Sequence, residues 1–310
     1  MPPSRDPRSG LGPPTALLGL VLLAGCGSQG TAPTPADPIL AAAGDIAICP
    51  ADAAEATARL LDGLFPPGAP PERGLVATLG DNAYERGTPG EYAACYEPTW
   101  GRHRARTRPT PGNHEYLTPG AQGYYAYFGA AAGDPARGYY SYEIGSWHVV
   151  VLNSSCAEVG GCGAGSPQEA WLRADLAAHR TTCALAYWHH PRFSSGSVHG
   201  DHVFMRDLWR SLQELGVDLA LAGHEHNYER FAPQDADAGA DPAHGVREFV
   251  VGTGGHDSLY GFGLPRLNSE VRETGTYGVL KLTLRSRGYD WQFLPAAGSS
   301  FTDTGSGACH

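Results

Sequence analysis

The sequence contains no Gly-x-Ser-x-Gly, no Walker A loop and no His-Glu-x-x-His, which excludes a serine-hydrolase elbow, a P-loop nucleotide site and a zincin helix. Nor does it contain a Cys-x-x-Cys pair, so thiolate zinc sites and thioredoxin-like redox chemistry have no basis. Positive charge is scarce: 22 Lys+Arg stand against 32 Asp+Glu, a formal net charge of −10. So acidic a chain lacks the electrostatic footprint for nucleic acid as a main partner. The longest apolar run, residues 17–24, is too short to span a bilayer as a helix. Internal repeats and a second composition break are missing as well, so the body of the chain reads as one domain. At 310 residues and 42% hydrophobic, that domain has enough apolar side chains for a real core.

What is present begins with an export signal. Arg5 and Arg8 precede the apolar run, which ends in Leu23-Ala24-Gly25-Cys26 and resembles the bacterial lipobox, where the cysteine is acylated. Residues 1–25 are therefore expected to be a lipoprotein signal peptide, Cys26 the lipid anchor, and 26–37 a flexible tether of small and polar residues. The protein is expected to sit on a membrane facing the periplasm or the cell exterior. A folded domain over 38–296 and a surface tail over 297–310 complete the division, the tail pinned by Cys309. The other cysteines, Cys49, Cys95, Cys156, Cys162, Cys183 and Cys309, are even in number, and in an exported protein the default is disulfides. Cys156 and Cys162 flank a Gly-rich segment that can turn back on itself, so they form the expected local bridge. The pairing of the other four stays open.

Along the domain, short apolar runs end in Gly plus a polar residue: ILAAAGD to Asp45, LVATLGD to Asp81, CALAYWH to His189 and DLALAGH to His224. These read as buried strands that end in loops. Helical patterns over 52–64 and 203–215 lie between them, the second closed by Gly216, and Ser166-Pro167-Gln168-Glu169 opens a helix to about His179 as a capping box. Later segments such as SWHVVVLN, REFVVGTGG and YGVLKLTL read as antiparallel strands with little helix between them. The pattern predicts a mixed α/β sandwich.

The residues at the strand ends are of one chemical kind: Asp45, Asp81 with Tyr84, Asn113 with His114, His189, then His224 and His226. Oxygen and imidazole donors without thiolate suit Fe, Mn or Zn, and strand-end groups can converge on one rim. A pair of cations about 3.5–4 Å apart needs a bridging carboxylate, which one of the aspartates can supply. Capping would explain any one of these aspartates, but it does not require His and Asn at the other strand ends.

Taken together, Gly44-Asp45, Gly80-Asp81-Asn82-Ala83-Tyr84, Gly112-Asn113-His114-Glu115, His189 and Gly223-His224-Glu225-His226 resemble the calcineurin-like metallophosphoesterases, in the right order over residues 44–226. The resemblance implies an α/β fold, a four-layer sandwich of two mixed sheets flanked by helices with the metal site at strand C-terminal ends. The superfamily's usual Asp-x-His opening is here Asp45-Ile46-Ala47, so one histidine ligand is missing. Tyr84 sits where purple acid phosphatases place a tyrosinate, and His224 to Arg230 is similar to their Gly-His-x-His-x-Tyr-Glu-Arg signature. A phenol of pKa about 10 is ionised near neutrality only by a strong Lewis acid, which favours Fe(III). Carried over position by position, Asp45, Asp81, Tyr84 and His226 would hold Fe(III), and Asp81, Asn113, His189 and His224 a divalent ion (Fe, Zn or Mn), with Asp81 bridging.

The implied function is a dinuclear phosphoesterase that hydrolyses phosphate monoesters by attack of metal-bound hydroxide. His114 and His199 would contact phosphate and protonate the leaving group, with His202 the rival of His199. The implied partner is a small phosphate ester; oligomeric state is not readable. The same metal core could serve a phosphodiesterase or nucleotidase, and a surface lipoprotein that binds metal or phosphate without turnover is the reading from another class. His190, next to His189, is expected to support rather than ligate. His103, His148, His179, His244, His256 and His310 match no motif and read as surface or hydrogen-bonded residues, His148 on a strand edge beside Trp147. Gly252-Thr253-Gly254-Gly255 reads as a tight turn rather than a phosphate cradle.

Overall fold

The apolar runs that end in Gly plus a polar residue form strands, and the computed structural model places them at the centre of two sheets. It describes residues 37–310; the expected export signal, Cys26 and all but the last residue of the tether lie outside the described residues. The strands are β1 (Ile39–Ala43), β2 (Gly74–Leu79), β3 (Thr107–Thr110), β4 (Tyr140–Ile144), β5 (Trp147–Val151), β6 (Cys183–Tyr187), β7 (Leu219–Ala222), β8 (Tyr228–Phe231), β9 (Arg247–Val251), β10 (Ser269–Glu273), β11 (Gly278–Arg285), β12 (Gly288–Pro295) and β13 (Thr304–Ala308). One sheet has the order β13-β12-β11-β1-β2-β3 and the other β10-β8-β9-β7-β6-β5-β4. The first three strands run parallel, as do β5, β6, β7 and β9, and antiparallel strands close both sheets.

Alternation along the seven-stranded sheet shows how it is covered. Trp147, Val149, Val151, Leu185, Tyr187, Leu219 and Phe249 face the core between the sheets. Their neighbours Val150, Ala184, Ala186, Ala220 and Val250 face the other way, onto Leu172, Leu176, Leu208 and Leu212. A strand with both faces buried reads as a continuous apolar run, which is why these segments were visible in the sequence. The leucines of the outer layer belong to α4 (Pro167–Ala178) and α5 (Arg206–Glu214). α1 (Asp52–Leu64) adds Ala54, Ala58 and Leu61 to the core beside the six-stranded sheet, while the single turn α2 (Pro89–Glu91) and α3 (Gln122–Phe128) pack on each other. The result is the expected sandwich of two mixed sheets flanked by helices.

Helix ends follow their signals. Ser166 accepts from the Glu169 amide at the start of α4, but the Glu169 carboxylate turns to the Gly165 amide, so only half of the expected capping box forms. The helix expected over 203–215 is divided into a tight turn, Val203–Met205, and α5. Gly216 follows at φ +77°, the left-handed conformation that glycine adopts without cost.

Three disulfides join Cys49 to Cys95, Cys156 to Cys162 and Cys183 to Cys309. The local bridge is the expected one. The tail departs from expectation: instead of ending the fold at 296, residues 304–308 add β13 to the edge of β12, paired from Gln292 with Thr304 to Gly288 with Ala308. Backbone hydrogen bonds and the Cys309 bridge supply what the Gly-rich sequence lacks in side chains. Gly252 to Gly255 is not a free turn either, because the Gly254 amide donates to the Gly44 carbonyl at 2.9 Å.

His148, expected at a strand edge, is buried at 1% exposure. Its ring nitrogens lie 2.6 Å from Glu143 Oε1 and 2.7 Å from Asp175 Oδ2, tying the β4–β5 hairpin to α4, and His179 stacks on it at 4.6 Å. Burial by itself disfavours the imidazolium, but hydrogen bonds to Asp175 and Glu143 prevail and raise its pKa. A group raised in this way stabilises the fold fully below its unfolded pKa and loses that contribution as pH rises through its folded value. The melting-temperature gap between the protein and His148→Gln should therefore be widest just below about pH 6.5 and narrow at higher pH. A gap independent of pH would show that His148 acts by packing alone.

Candidate metal centre

The parallel strands of both sheets deliver their C-terminal ends to one place. Asp45 follows β1, Asp81 follows β2, Asn113 and His114 follow β3, His189 follows β6 and His224 follows β7, with His226 just before β8. Asp45, Asp81 and His224 have φ values of +60°, +48° and +69°, a left-handed conformation that costs about 1–3 kcal/mol each for a non-glycine residue and is found where a site holds its backbone under constraint. The glycines of the motifs are there for close approach. A Cβ on Gly112 would collide with the Asp81 carboxylate, and one on Gly80 with the imidazole of His189.

Two groups of side chains result. In the first, Tyr84 Oη lies 2.9 Å from Asp45 Oδ1, 3.1 Å from Asp81 Oδ2 and 3.4 Å from His226 Nε2. In the second, His189 Nε2 lies 3.2 Å from Asp81 Oδ2, 3.1 Å from Asn113 Oδ1 and 3.1 Å from His224 Nδ1. Asp81 Oδ2 belongs to both. Backbone acceptors fix the imidazoles: His189 Nδ1 donates to the Leu79 carbonyl at 2.8 Å and His226 Nδ1 to that of Ser258 at 2.9 Å, which leaves each Nε2 turned inward.

The charges are coupled. Burial would raise the Asp81 carboxyl, but His189 outweighs it and holds the pKa at about 2; the reverse balance lifts His189 to about 9. Burial likewise opposes, and His226 overcomes, the lowering of Asp45. Burial and the positive charge on His189 push His224 far below the ordinary range. Burial, then the charges of Asp45 and Asp81, hold the Tyr84 phenol well above its ordinary value.

The donor chemistry fits a cation. Tyr84 Oη carries one proton yet faces two carboxylate oxygens and an imidazole nitrogen, and His189 Nε2 meets another imidazole nitrogen, an amide oxygen and a carboxylate. More lone pairs converge than protons can bridge, and all donors are oxygen or imidazole nitrogen, the set expected for Fe, Mn or Zn.

All ten residues expected in the domain's site are gathered here. His114 reaches Asp81 Oδ2 from 3.9 Å, with its Nδ1 on the Glu85 carbonyl at 2.6 Å. The rings of His199 and His202 lie 4.0 and 4.9 Å from that of His224. His190, expected to support rather than ligate, has its ring 4.3 Å from that of His224 and its Nδ1 2.8 Å from Ser154 Oγ, and with His189 and His224 it forms a further group that could hold a metal ion. His256, read as a surface or hydrogen-bonded residue outside any motif, instead lies against the centre, 4.5 Å from the Tyr84 ring and 4.2 Å from that of His226. Tyr260 stacks on His226 at 4.1 Å. Neither carried a local signal, since the loop after β9 reaches the site only through the fold.

Two buried glutamates also escaped assignment, although both sit inside the quoted motifs. Glu115 accepts from the amides of Asp81 at 2.9 Å, Asn82 at 2.7 Å and Gly112 at 2.7 Å, and from the Tyr92 hydroxyl at 3.1 Å. It clamps the loop of Asp81 to the loop of Asn113. Glu225 accepts from the His199 and Gly200 amides at 2.5 and 2.7 Å, which ties the His199 loop to the loop between His224 and His226.

A family model for the calcineurin-like phosphoesterases matches residues 40–228. The chain belongs to that family. Purple acid phosphatase 21 of Arabidopsis thaliana is 34% identical to this chain over 123 residues, 38% of the chain and 27% of the relative. The chain thus matches about a quarter of the relative's length. Among solved structures, a purple acid phosphatase from yellow lupin seeds shares the fold with a TM-score of 0.68 at 18% identity, over 88% of this chain and 54% of that one. GAP50, described as the anchor in the inner membrane complex of Plasmodium, does so with a TM-score of 0.66 at 13% identity, over 89% and 90%.

Replacing Glu115 by Ala orphans four buried amides, that of Ala83 at 3.4 Å included, and a hydroxyl. Stability in urea should fall by about 3 kcal/mol or more, with Glu115→Gln less damaged. An unchanged midpoint in Glu115→Ala would mean that water takes over the clamp.

Proposed function

We propose that the protein is an exported, dinuclear metal-dependent phosphoesterase that hydrolyses phosphate monoesters. The observation that carries this reading is that Asp81 Oδ2 lies within 3.2 Å of Tyr84 on one side and His189 on the other, the arrangement a carboxylate bridging two cations requires. Asp45, Asp81, Tyr84 and His226 would hold one ion and Asp81, Asn113, His189 and His224 the second. Two bound cations would clamp phosphate oxygens and acidify a water for in-line attack. Because burial and two carboxylates keep the Tyr84 phenol protonated on its own, its use as a ligand calls for a strong Lewis acid, which supports Fe(III) beside it and a divalent Fe, Zn or Mn in the other position.

The remaining roles fall to histidines. His114, held through Nδ1 on the Glu85 carbonyl, presents Nε2 to the space beside Asp81 and would donate a hydrogen bond to a phosphate oxygen. His199 is exposed to solvent and held through its own amide by Glu225; it would protonate the leaving alkoxide, with His202 beside it as the alternative donor. Three disulfides support an oxidising compartment, and a lipid anchor at Cys26 would keep the enzyme at a membrane surface. No helix among the described residues is long and apolar enough to cross a membrane.

Metal analysis, visible spectroscopy and ester hydrolysis on one preparation test the reading. The expected result is about two metal ions per chain including iron, a broad visible band that Tyr84→Phe abolishes, and hydrolysis of p-nitrophenyl phosphate faster than of its bis-ester. His114→Ala should lower kcat by roughly a hundredfold or more and leave metal content intact. A preference for the bis-ester would make the enzyme a diesterase. Metal-replete protein that cleaves no phosphate ester would sink the proposal.

A further inference from the structure

Among the described residues, the exposed large apolar side chains are Leu117, Val198, Val203, Phe204, Leu264 and Leu267. Three of them, Val198, Val203 and Phe204, flank His199 and His202. Leu117 lies one turn after His114, its amide bonded to the His114 carbonyl; Val198 adjoins His199; Val203 and Phe204 follow His202 directly. Leu264 and Leu267 lie on the loop that begins at His256. That loop is joined to the His199 loop by a bridge between Gly196 and Phe262, by the Ser197 amide on the Gly261 carbonyl at 3.0 Å and by the Gly263 amide on that of Ser195 at 2.8 Å. Every loop that brings a motif-free or substrate-facing histidine to the centre therefore also carries bare hydrocarbon.

Phe204 shows how close this surface comes. Its ring packs 5.1 Å from His202 and 5.7 Å from His190, and those two rings lie 4.9 and 4.3 Å from that of His224. On the other side Tyr260 covers His226 and reaches within 5.8 Å of His199. Single exposed apolar residues are ordinary on a protein surface, but three on the one segment that carries His199 and His202 mark what that site receives.

Charge around the mouth points the same way. Glu85 and Asp257, with side chains 62% and 64% exposed, stand beside His114 and His256. Arg86 folds its guanidinium onto the Leu117 carbonyl at 2.7 Å, and Arg266 pairs with Asp201 at 3.2 Å. The chain's single lysine, Lys281, lies on β11. A leaving group with phosphates or carboxylates of its own would meet negative charge at this edge and few free cations.

We propose, building on the phosphoesterase reading, that the preferred substrates are phosphate monoesters of uncharged, apolar alcohols, whose hydrocarbon part lies along the rim of Val198, Val203 and Phe204. The phosphate would be held by the centre as for any ester; selectivity would come from burying the alcohol against these side chains.

The test compares 2-phenylethyl phosphate with glucose 6-phosphate, both esters of primary alcohols, so that leaving-group chemistry is similar. The metal-replete protein should show kcat/KM at least about tenfold higher for the first. Phe204→Ser and, separately, Val198→Ser should bring that ratio toward one; Val198 is exposed on a loop, so its variant remains informative if Phe204→Ser does not fold. Equal kcat/KM for the two esters, or preference for the sugar phosphate, overturns the proposal and leaves the phosphoesterase reading standing. So does a tenfold ratio that neither variant changes, because the selectivity would then lie elsewhere. Failure to hydrolyse either ester overturns both readings together.

Discussion

Two carboxylates buried at the ends of neighbouring strands, with neither arginine nor lysine paired to them, set the terms for the rest of this molecule. Asp45 and Asp81 are at most 1% exposed, and their only ion-pair partners among the described residues are histidines. Buried charge has to be met by donors of some kind. Here the donors come from two sources: the backbone, with the His224 amide on Asp45 and the His114 amide on Asp81 at 2.8 and 2.9 Å, and imidazoles from the opposite sheet. Each donor has to be aimed, and the left-handed backbone at Asp45, Asp81 and His224 is the means of aiming.

The two sheets divide this work. The six-stranded sheet supplies the oxygen donors Asp45, Asp81, Tyr84 and Asn113, and the seven-stranded sheet supplies the imidazoles His189, His224 and His226. The centre thus exists only where the sheets face each other, and the apolar residues between them, such as Leu40, Val149 and Leu221, fix its dimensions. Glu115 joins loops within the first sheet and Glu225 joins loops of the second. Buried carboxylates with amide partners act as rigid splints here, since removing one leaves several donors unmet.

How much of this was legible in the sequence depended on whether the cause was local. Gly80-Asp81 and Gly112-Asn113-His114-Glu115 could be read because close approach requires glycine and the chemistry requires particular side chains, both written in adjacent letters. β1, β2, β6 and β7 could be read because burial on both faces leaves an apolar run. β3, with the sequence TRPT, and β13, TGSGA, are held by the strands beside them and have no pattern of their own. His256 and Tyr260 come to the site on a loop whose position is set by hydrogen bonds to Asp45 and His226, contacts between residues far apart in the chain. The long disulfides were open for the same reason: separations of 46 and 126 residues are bridged by the topology of the fold.

The connectivity of those disulfides has a consequence for biogenesis. Numbered along the described chain, the cysteines pair first with second, third with fourth and fifth with sixth. A polypeptide threaded N-terminus first into an oxidising space presents its thiols in that order, and each would find its native partner as the next to arrive. Were oxidation to keep step with emergence and Cys26 to stand outside the pairing, each bond would close between neighbours in sequence, and the order of the thiols alone would specify the covalent framework.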